Sequence, residues 1–145
     1  MAPDLSRQDA NVPRRQEEPD LQVDQLARDV IGAAIAVHQE LGPGFPEYVY
    51  EEALALELTK RKIRFERQAK VNVFYRDRLV GQGQLDLWVD RQLVVELKAV
   101  DQLHPKHLAQ TKAYLAATGN HLRLLINFHE ATLRDGLKRI INTPA

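Results

Sequence analysis

Three residues in the middle of the chain, Asp86, Glu96 and Lys98, have the types and spacing to do phosphoryl chemistry. They lie in Leu85-Asp86-Leu87-Trp88-Val89, then Asp90-Arg91-Gln92, then Leu93-Val94-Val95-Glu96-Leu97-Lys98-Ala99, which reads as two strands joined by a short loop. Side chains alternate faces along a strand. Leu85, Leu87 and Val89 should therefore share one face, with Asp86 on the other. Glu96 and Lys98 should share the face opposite Val95, Leu97 and Ala99. A three-residue loop, Asp90 to Gln92, sets Asp86 opposite Glu96 and Gln84 opposite Lys98. Opposed β-carbons in such a pair are only ~5 Å apart, and like charges there destabilise. A divalent cation would resolve the conflict, because Mg²⁺ or Mn²⁺ takes hard oxygen ligands from one or two carboxylates. It would polarise a phosphodiester and activate water, with Lys98 close enough to orient that water or stabilise the developing charge. The competing explanation is a solvent-facing sheet surface with a cross-strand Glu–Lys arrangement, since Glu-x-Lys alone is common.

Helices and further strands must hold these residues. Leu26, Val30, Ala33, Val37 and Leu41 recur at helical spacing, predicting a helix over about Leu21 to Leu41 with Asp20 as its cap. Gly42-Pro43-Gly44 ends it. Pro46 opens a second helix, to about Lys62. Val71 to Tyr75 is β-branched and aromatic and predicts a strand, followed by strands over about Leu79 to Val89 and Leu93 to Val100. Gly81 and Gly83 mark a bend or bulge near the start of the second. Pro105 to Thr118 predicts a helix closed by Gly119-Asn120, and Leu122 to Asn127 a buried central strand. A last helix is expected over about Leu133 to Ile141. Strands in this order with one crossover helix imply a mixed sheet with helices packed on it.

The chain of 145 residues suits one domain, at residues 20–145, behind a polar, proline-containing tail at 1–19 that reads as disordered. It has no cysteine, which excludes disulfides and thiol nucleophiles and is compatible with the cytoplasm. No apolar run approaches a membrane span, and the N-terminus does not read as a signal peptide. The net charge is zero, which counts mildly against strong non-specific affinity for nucleic acid. From Lys60 to Arg78, however, eight Lys and Arg stand against two acids, a patch that could face phosphate. His104 and His107 lack a third metal ligand. His107 lies one turn before Gln110, so contact with a substrate is possible there. Trp88 could stack on a base, but packing under a helix explains it more simply.

The segments flanking the triad add a resemblance. Gly44-Phe45-Pro46-Glu47-Tyr48-Val49-Tyr50 reads as GxxExxY, and Gln110-Thr111-Lys112-Ala113-Tyr114 as QxxxY. With the Asp then Glu-x-Lys stretch over Leu85 to Val100, and Leu124 to Phe128 followed by Leu133 to Ile141, these motifs resemble the GxxExxY proteins of the PD-(D/E)XK nuclease superfamily, in its RecB-like branch. Leu85 stands where the motif's name has proline. The resemblance spans about residues 21–142. It implies an α/β (α+β) restriction-endonuclease-like core in the order α-β-β-β-α-β. It implies Asp86, Glu96 and the backbone carbonyl of Leu97 as ligands of Mg²⁺ or Mn²⁺. Lys98 would be catalytic, Glu47 the acid beside the metal, and Gln110 and Tyr114 supports of the site. The substrate would be nucleic acid, DNA ahead of RNA, with a homodimer or a protein partner compatible. The alternative is a module that keeps the fold and binds nucleic acid or protein without cleaving.

Overall fold

Two helices open the computed structural model, which describes residues 21–141: α1 at Leu21–Leu41 and α2 at Glu47–Lys60. The tail at 1–19 and the Asp20 cap lie outside the described residues. Strands β1 (Phe65–Tyr75), β2 (Arg78–Val89) and β3 (Leu93–Lys98) come next, then α3 (Pro105–Thr118), β4 (Leu122–Asn127) and β5 (Leu137–Ile141). The strands form one sheet in the order β1-β2-β3-β4-β5. β3 and β4 are parallel and every other pair is antiparallel. This is the mixed α+β sheet with flanking helices expected from sequence.

Helices cover both faces. Ala27, Val30, Ala33 and Val37 of α1 and Tyr50, Leu54 and Leu58 of α2 bury Leu87, Val95, Leu97, Leu124 and Ile126 of the sheet. On the other face, Leu115 of α3 packs with Val71, Leu85, Val94, Leu125 and Ile140. Trp88 joins this second layer, and its indole N–H donates to Asn120 Oδ1 at 2.9 Å, so packing rather than base stacking explains it.

Three expectations need correction. Leu133 to Ile141 is not a helix: a 3₁₀ turn at Leu133–Gly136 leads into β5, which pairs with β4 from Ile126↔Leu137 to Leu122↔Ile141. The apolar spacing fitted a helix, but β4 has an outer edge whose amides need partners. Gly136 also lies so close to the Asn127 carbonyl that no side chain fits there. The first strand starts six residues earlier than Val71, at Phe65. Third, Leu85 does not share a face with Leu87 and Val89. Leu87 and Val89 pack toward α1 and α2, and Leu85 toward α3. The alternation breaks because Gln68 on β1 is left-handed (φ 49°), and the ladder pairs Arg67↔Leu87 and Ala69↔Leu85 but not Gln68 with Asp86.

Tyr114 of α3 lies on the backbone of β2 at Gly83, where a β-carbon would stand 2.5 Å from Tyr114 Cε1. Gly83→Ala should therefore lower stability by about 1–3 kcal/mol through overpacking. Adding Tyr114→Ala should recover part of that loss. Thermal melts of both variants check the pair, and equal losses with and without Tyr114 would refute the contact.

Candidate active site

The hairpin loop is the three-residue Asp90–Gln92, and β2 and β3 pair as Leu87↔Val95, Trp88↔Val94 and Val89↔Leu93, the register expected from sequence. The ladder stops there. Past Leu87 and Val95 the side chains of the two acids replace the carbonyls. The amide of Asp86 donates to Glu96 Oε1 at 3.0 Å, and the amide of Leu97 donates to Asp86 Oδ2 at 2.8 Å. Each carboxylate thus satisfies a backbone donor on the neighbouring strand with one oxygen, and the second oxygen of Glu96 faces Arg123. β3 meanwhile continues beside β4 as far as Lys98↔Asn127. The buried Asn127 side chain anchors the chain beyond β3, accepting from the Val100 amide at 3.1 Å and donating to the Val100 carbonyl at 2.8 Å.

Glu47 reaches this place from the other side. It is the first residue of α2, and the loop before it turns through Gly42 and Gly44 at positive φ (70° and 114°). Tyr50 fixes that loop: its hydroxyl donates to the Gly42 carbonyl at 2.6 Å and accepts from the Phe45 amide at 3.1 Å. Its ring stacks on Phe128 at 4.5 Å. The last residue of the GxxExxY stretch is therefore a clamp that sets where Glu47 starts its helix.

Three residues not singled out in the sequence complete the cluster. Glu51, one turn after Glu47 and buried, accepts from Gln68 Nε2 at 2.8 Å and pairs with Arg67 at 3.1 Å. Gln68 also favours the ionised form of Asp86. Arg123 of β4 is 1 % exposed, donates to the Thr111 carbonyl and lies 3.4 Å from Glu96 Oε2. Its Nε has no hydrogen-bond partner among the described residues. A helical spacing of four from Glu47 could have drawn attention to Glu51. For Gln68 the sequence offers no signal. Arg123 was visible only as one charge inside an otherwise apolar strand.

Burial governs the electrostatics. Desolvation raises the Glu96 carboxyl to about 7, with Asp86 raising it further and Arg123, the Asp86 amide and Lys98 opposing. Desolvation also raises Asp86, against the Leu97 amide and Lys98, and raises Glu47, which faces Asp86 and Lys98. Arg123 falls to about 10, through desolvation against the pull of Glu96 and Asp86. Asp86 thus raises both Glu47 and Glu96, and the charge of Lys98 opposes the rise in all three carboxyls. A carboxyl raised in the fold holds its proton more tightly than in the unfolded chain. In the protein kept free of divalent cations, the stability contributed by Glu96 should therefore be fully present below about pH 4.5 and be lost as pH rises through about 7. Melts in EDTA across that window and up to about pH 8 should show the fall, and Glu96→Gln should flatten it. A melting temperature that rises with pH through this window would refute the arrangement.

The other expected residues take different places, and among them Leu97 lies on the parted strand itself, while the charge of Lys98 reaches His107 at the start of α3. Leu97 buries its side chain against α1 and α2, and its amide is the donor to Asp86. Tyr114 lies over Gly83, and Gln110 is exposed one turn earlier. Among the described residues no hydrogen bond joins either to Asp86, Glu96 or Lys98. His104 and His107 cap α3: the Lys106 amide donates to His104 Nδ1 at 3.1 Å and the His104 amide to His107 Nδ1 at 3.0 Å. The basic stretch is divided, because Arg61, Arg64 and Arg67 are paired with Glu57, Asp90, and Glu51 and Glu52.

No helix among the described residues is long and apolar enough to cross a membrane. Neither the curated proteins nor the solved structures contain a match to the chain. A family profile described as the PD-(D/E)XK nuclease superfamily does match, over residues 24–140. That span includes the whole of the cluster around the parted strands, and the chain belongs to the PD-(D/E)XK nuclease superfamily.

Proposed function

We propose that the chain is a metal-dependent nuclease that hydrolyses phosphodiester bonds of nucleic acid, DNA ahead of RNA, in the cytoplasm. The finer placement, with the GxxExxY proteins and the QxxxY-bearing branch, rests on Gly44 to Tyr50 and Gln110 to Tyr114. The observation that carries the reading is the parting of β2 and β3 at Asp86 and Glu96, whose carboxylates hold the amides of Asp86 and Leu97, with Lys98 next on β3 and Glu47 within electrostatic reach of Asp86 and Lys98.

The donor set fits Mg²⁺ or Mn²⁺. No group of three or more His, Asp or Glu among the described residues is placed to hold a metal ion. Mg²⁺, however, needs only one or two carboxylates, with waters and substrate phosphate completing its shell. Asp86 and Glu96 would supply them through the oxygens the amides leave free, with the Leu97 carbonyl beside them. When bound, the ion polarises the phosphate and neutralises charge that develops on it. Lys98 orients the attacking water and offsets negative charge at the phosphate. Glu47, whose carboxyl is raised by burial and by the charge of Asp86, is the group to take a proton from that water. Arg123, 3.4 Å from Glu96 Oε2, shares that oxygen with the ion and favours its ionised form. Gln110 and Tyr114 support the substrate from α3, and a homodimer or protein partner is compatible with the arrangement.

The test is incubation with linear and circular DNA and with RNA, in Mg²⁺, Mn²⁺ or EDTA. Cleavage should require the metal and fall by at least ~10²-fold in Lys98→Ala, the loss typical of one transition-state stabilising group. Cleavage that persists in EDTA or in Lys98→Ala would overturn the proposal. So would an absence of cleavage together with no calorimetric binding of Mn²⁺, which would leave a non-catalytic binding module.

A further inference from the structure

β1 and β2 run well past the rest of the sheet. β3 pairs with β2 only from Leu87 to Val89, whereas β1 and β2 stay paired out to Tyr75↔Arg78. The extra length leaves the sheet at the end where Asp86, Glu96 and Lys98 lie. From Gln84 to Arg78 it extends roughly 20 Å at ~3.3 Å per residue. α3 covers the base of this arm at Val71 and Gly83, and every residue from Phe74 to Gln82 is exposed.

The exposed part has an unusual composition for an unpartnered hairpin. Phe74 and Tyr75 are each 60 % exposed, Leu79 56 % and Val80 60 %. Phe74 pairs with Leu79 on one face, and Tyr75 with Arg78 on the other, after a register shift at Val73/Phe74. Arg76 lies over the Tyr75 ring, 5.2 Å from its centroid. Lys70, Arg76 and Arg78 make no ion pair among the described residues, unlike Arg61, Arg64 and Arg67 nearer the body. The only acid on the arm is Asp77. The two-residue turn places Arg76 and Asp77 at positive φ (49° and 68°), where Asn or Gly is favoured. A cation therefore occupies the tip at the expense of local backbone comfort.

We infer that the β1–β2 arm binds a single-stranded stretch of the substrate nucleic acid leaving the site. Phe74 and Tyr75 stack on bases, and Lys70, Arg76 and Arg78 meet phosphates. Unstacked bases offer free faces to exposed rings, which duplex bases do not. The surplus of positive charge complements a phosphate backbone and opposes an arm-to-arm contact between two copies. The inference rests on the nuclease reading for the direction of the strand, but it concerns residues distant from the catalytic ones.

Fluorescence anisotropy with a labelled single strand of about 20 nucleotides and its duplex, in EDTA, separates binding from cleavage. Phe74→Ala/Tyr75→Ala should weaken single-strand binding by at least roughly thirtyfold and duplex binding much less. Arg76→Asn/Arg78→Gln should reduce the salt slope of log K by about 1.4, or ~0.7 for each phosphate no longer neutralised. Asn is favoured in this turn, so Arg76→Asn should hold or raise the melting temperature while affinity falls, which a purely structural role would not give. Unchanged affinity in these variants would overturn the inference. So would their converting an oligomer to a monomer by light scattering with binding intact, which would make the arm a protein contact. Loss of binding in the arm variants of a protein that neither cleaves nor binds Mn²⁺ would sustain the arm and reject the nuclease. Unaltered binding beside metal-dependent cleavage would do the reverse.

Discussion

Arg123→Ala should destabilise the fold by about 3–5 kcal/mol, the cost of leaving a buried charge without its partner. Arg123 is 1 % exposed, and Glu96 beside it is nearly as enclosed, at 12 %. Glu96 then keeps only Lys98 and the Asp86 amide to favour its ionised form. The Thr111 carbonyl loses its donor as well, which loosens α3 from β4. Denaturant titration at about pH 8, where Glu96 is charged, should show the full loss, and at about pH 5 a smaller one. Arg123→Met/Glu96→Gln should recover much of it, because that pair buries no net charge. A loss below about 1 kcal/mol for Arg123→Ala at the higher pH would mean that water reaches Glu96 freely and that the site is not enclosed.

Asp86→Asn should separate activity from stability. Cleavage should fall by at least about 10²–10³-fold, because a neutral amide neither holds a hard cation well nor stabilises charge at the phosphate. The metal-free protein should meanwhile be at least as stable as the parent at about pH 8. Asp86 is desolvated and repelled by Glu51, and it raises Glu96 in turn. An amide oxygen can still accept from Leu97, so the hydrogen bond that orders the parted strands survives. Residues under strain for function often stabilise when replaced. A variant that loses both cleavage and stability would show Asp86 to be a structural acceptor first.

The hairpin register was legible in the sequence because a three-residue loop between two apolar runs leaves little freedom, and the observed Leu87↔Val95 pairing is its direct result. The helices were legible from apolar spacing and from glycine and proline at their ends. The last element was misread because Leu133, Leu137, Ile140 and Ile141 satisfy helical spacing, while the deciding facts lie elsewhere in the chain: the free edge of β4 and the tight approach of Gly136 to Asn127. The break in alternation at Asp86 was illegible for a similar reason. It depends on the left-handed backbone of Gln68, and nothing in the type of a single glutamine announces that. Glu51 and Arg123 are charges buried by tertiary packing, which periodicity alone assigns to solvent or to an apolar run.

Where β2 and β3 part, two amides are held by side chains instead of by carbonyls. The carboxyl groups that would receive a ligand are therefore the same groups that keep the end of the sheet closed. Occupancy and local order become one equilibrium there. Anything that draws on those carboxylates is felt at once by the Asp86 and Leu97 amides, so hydrogen exchange at these two positions is a built-in gauge of ligand binding.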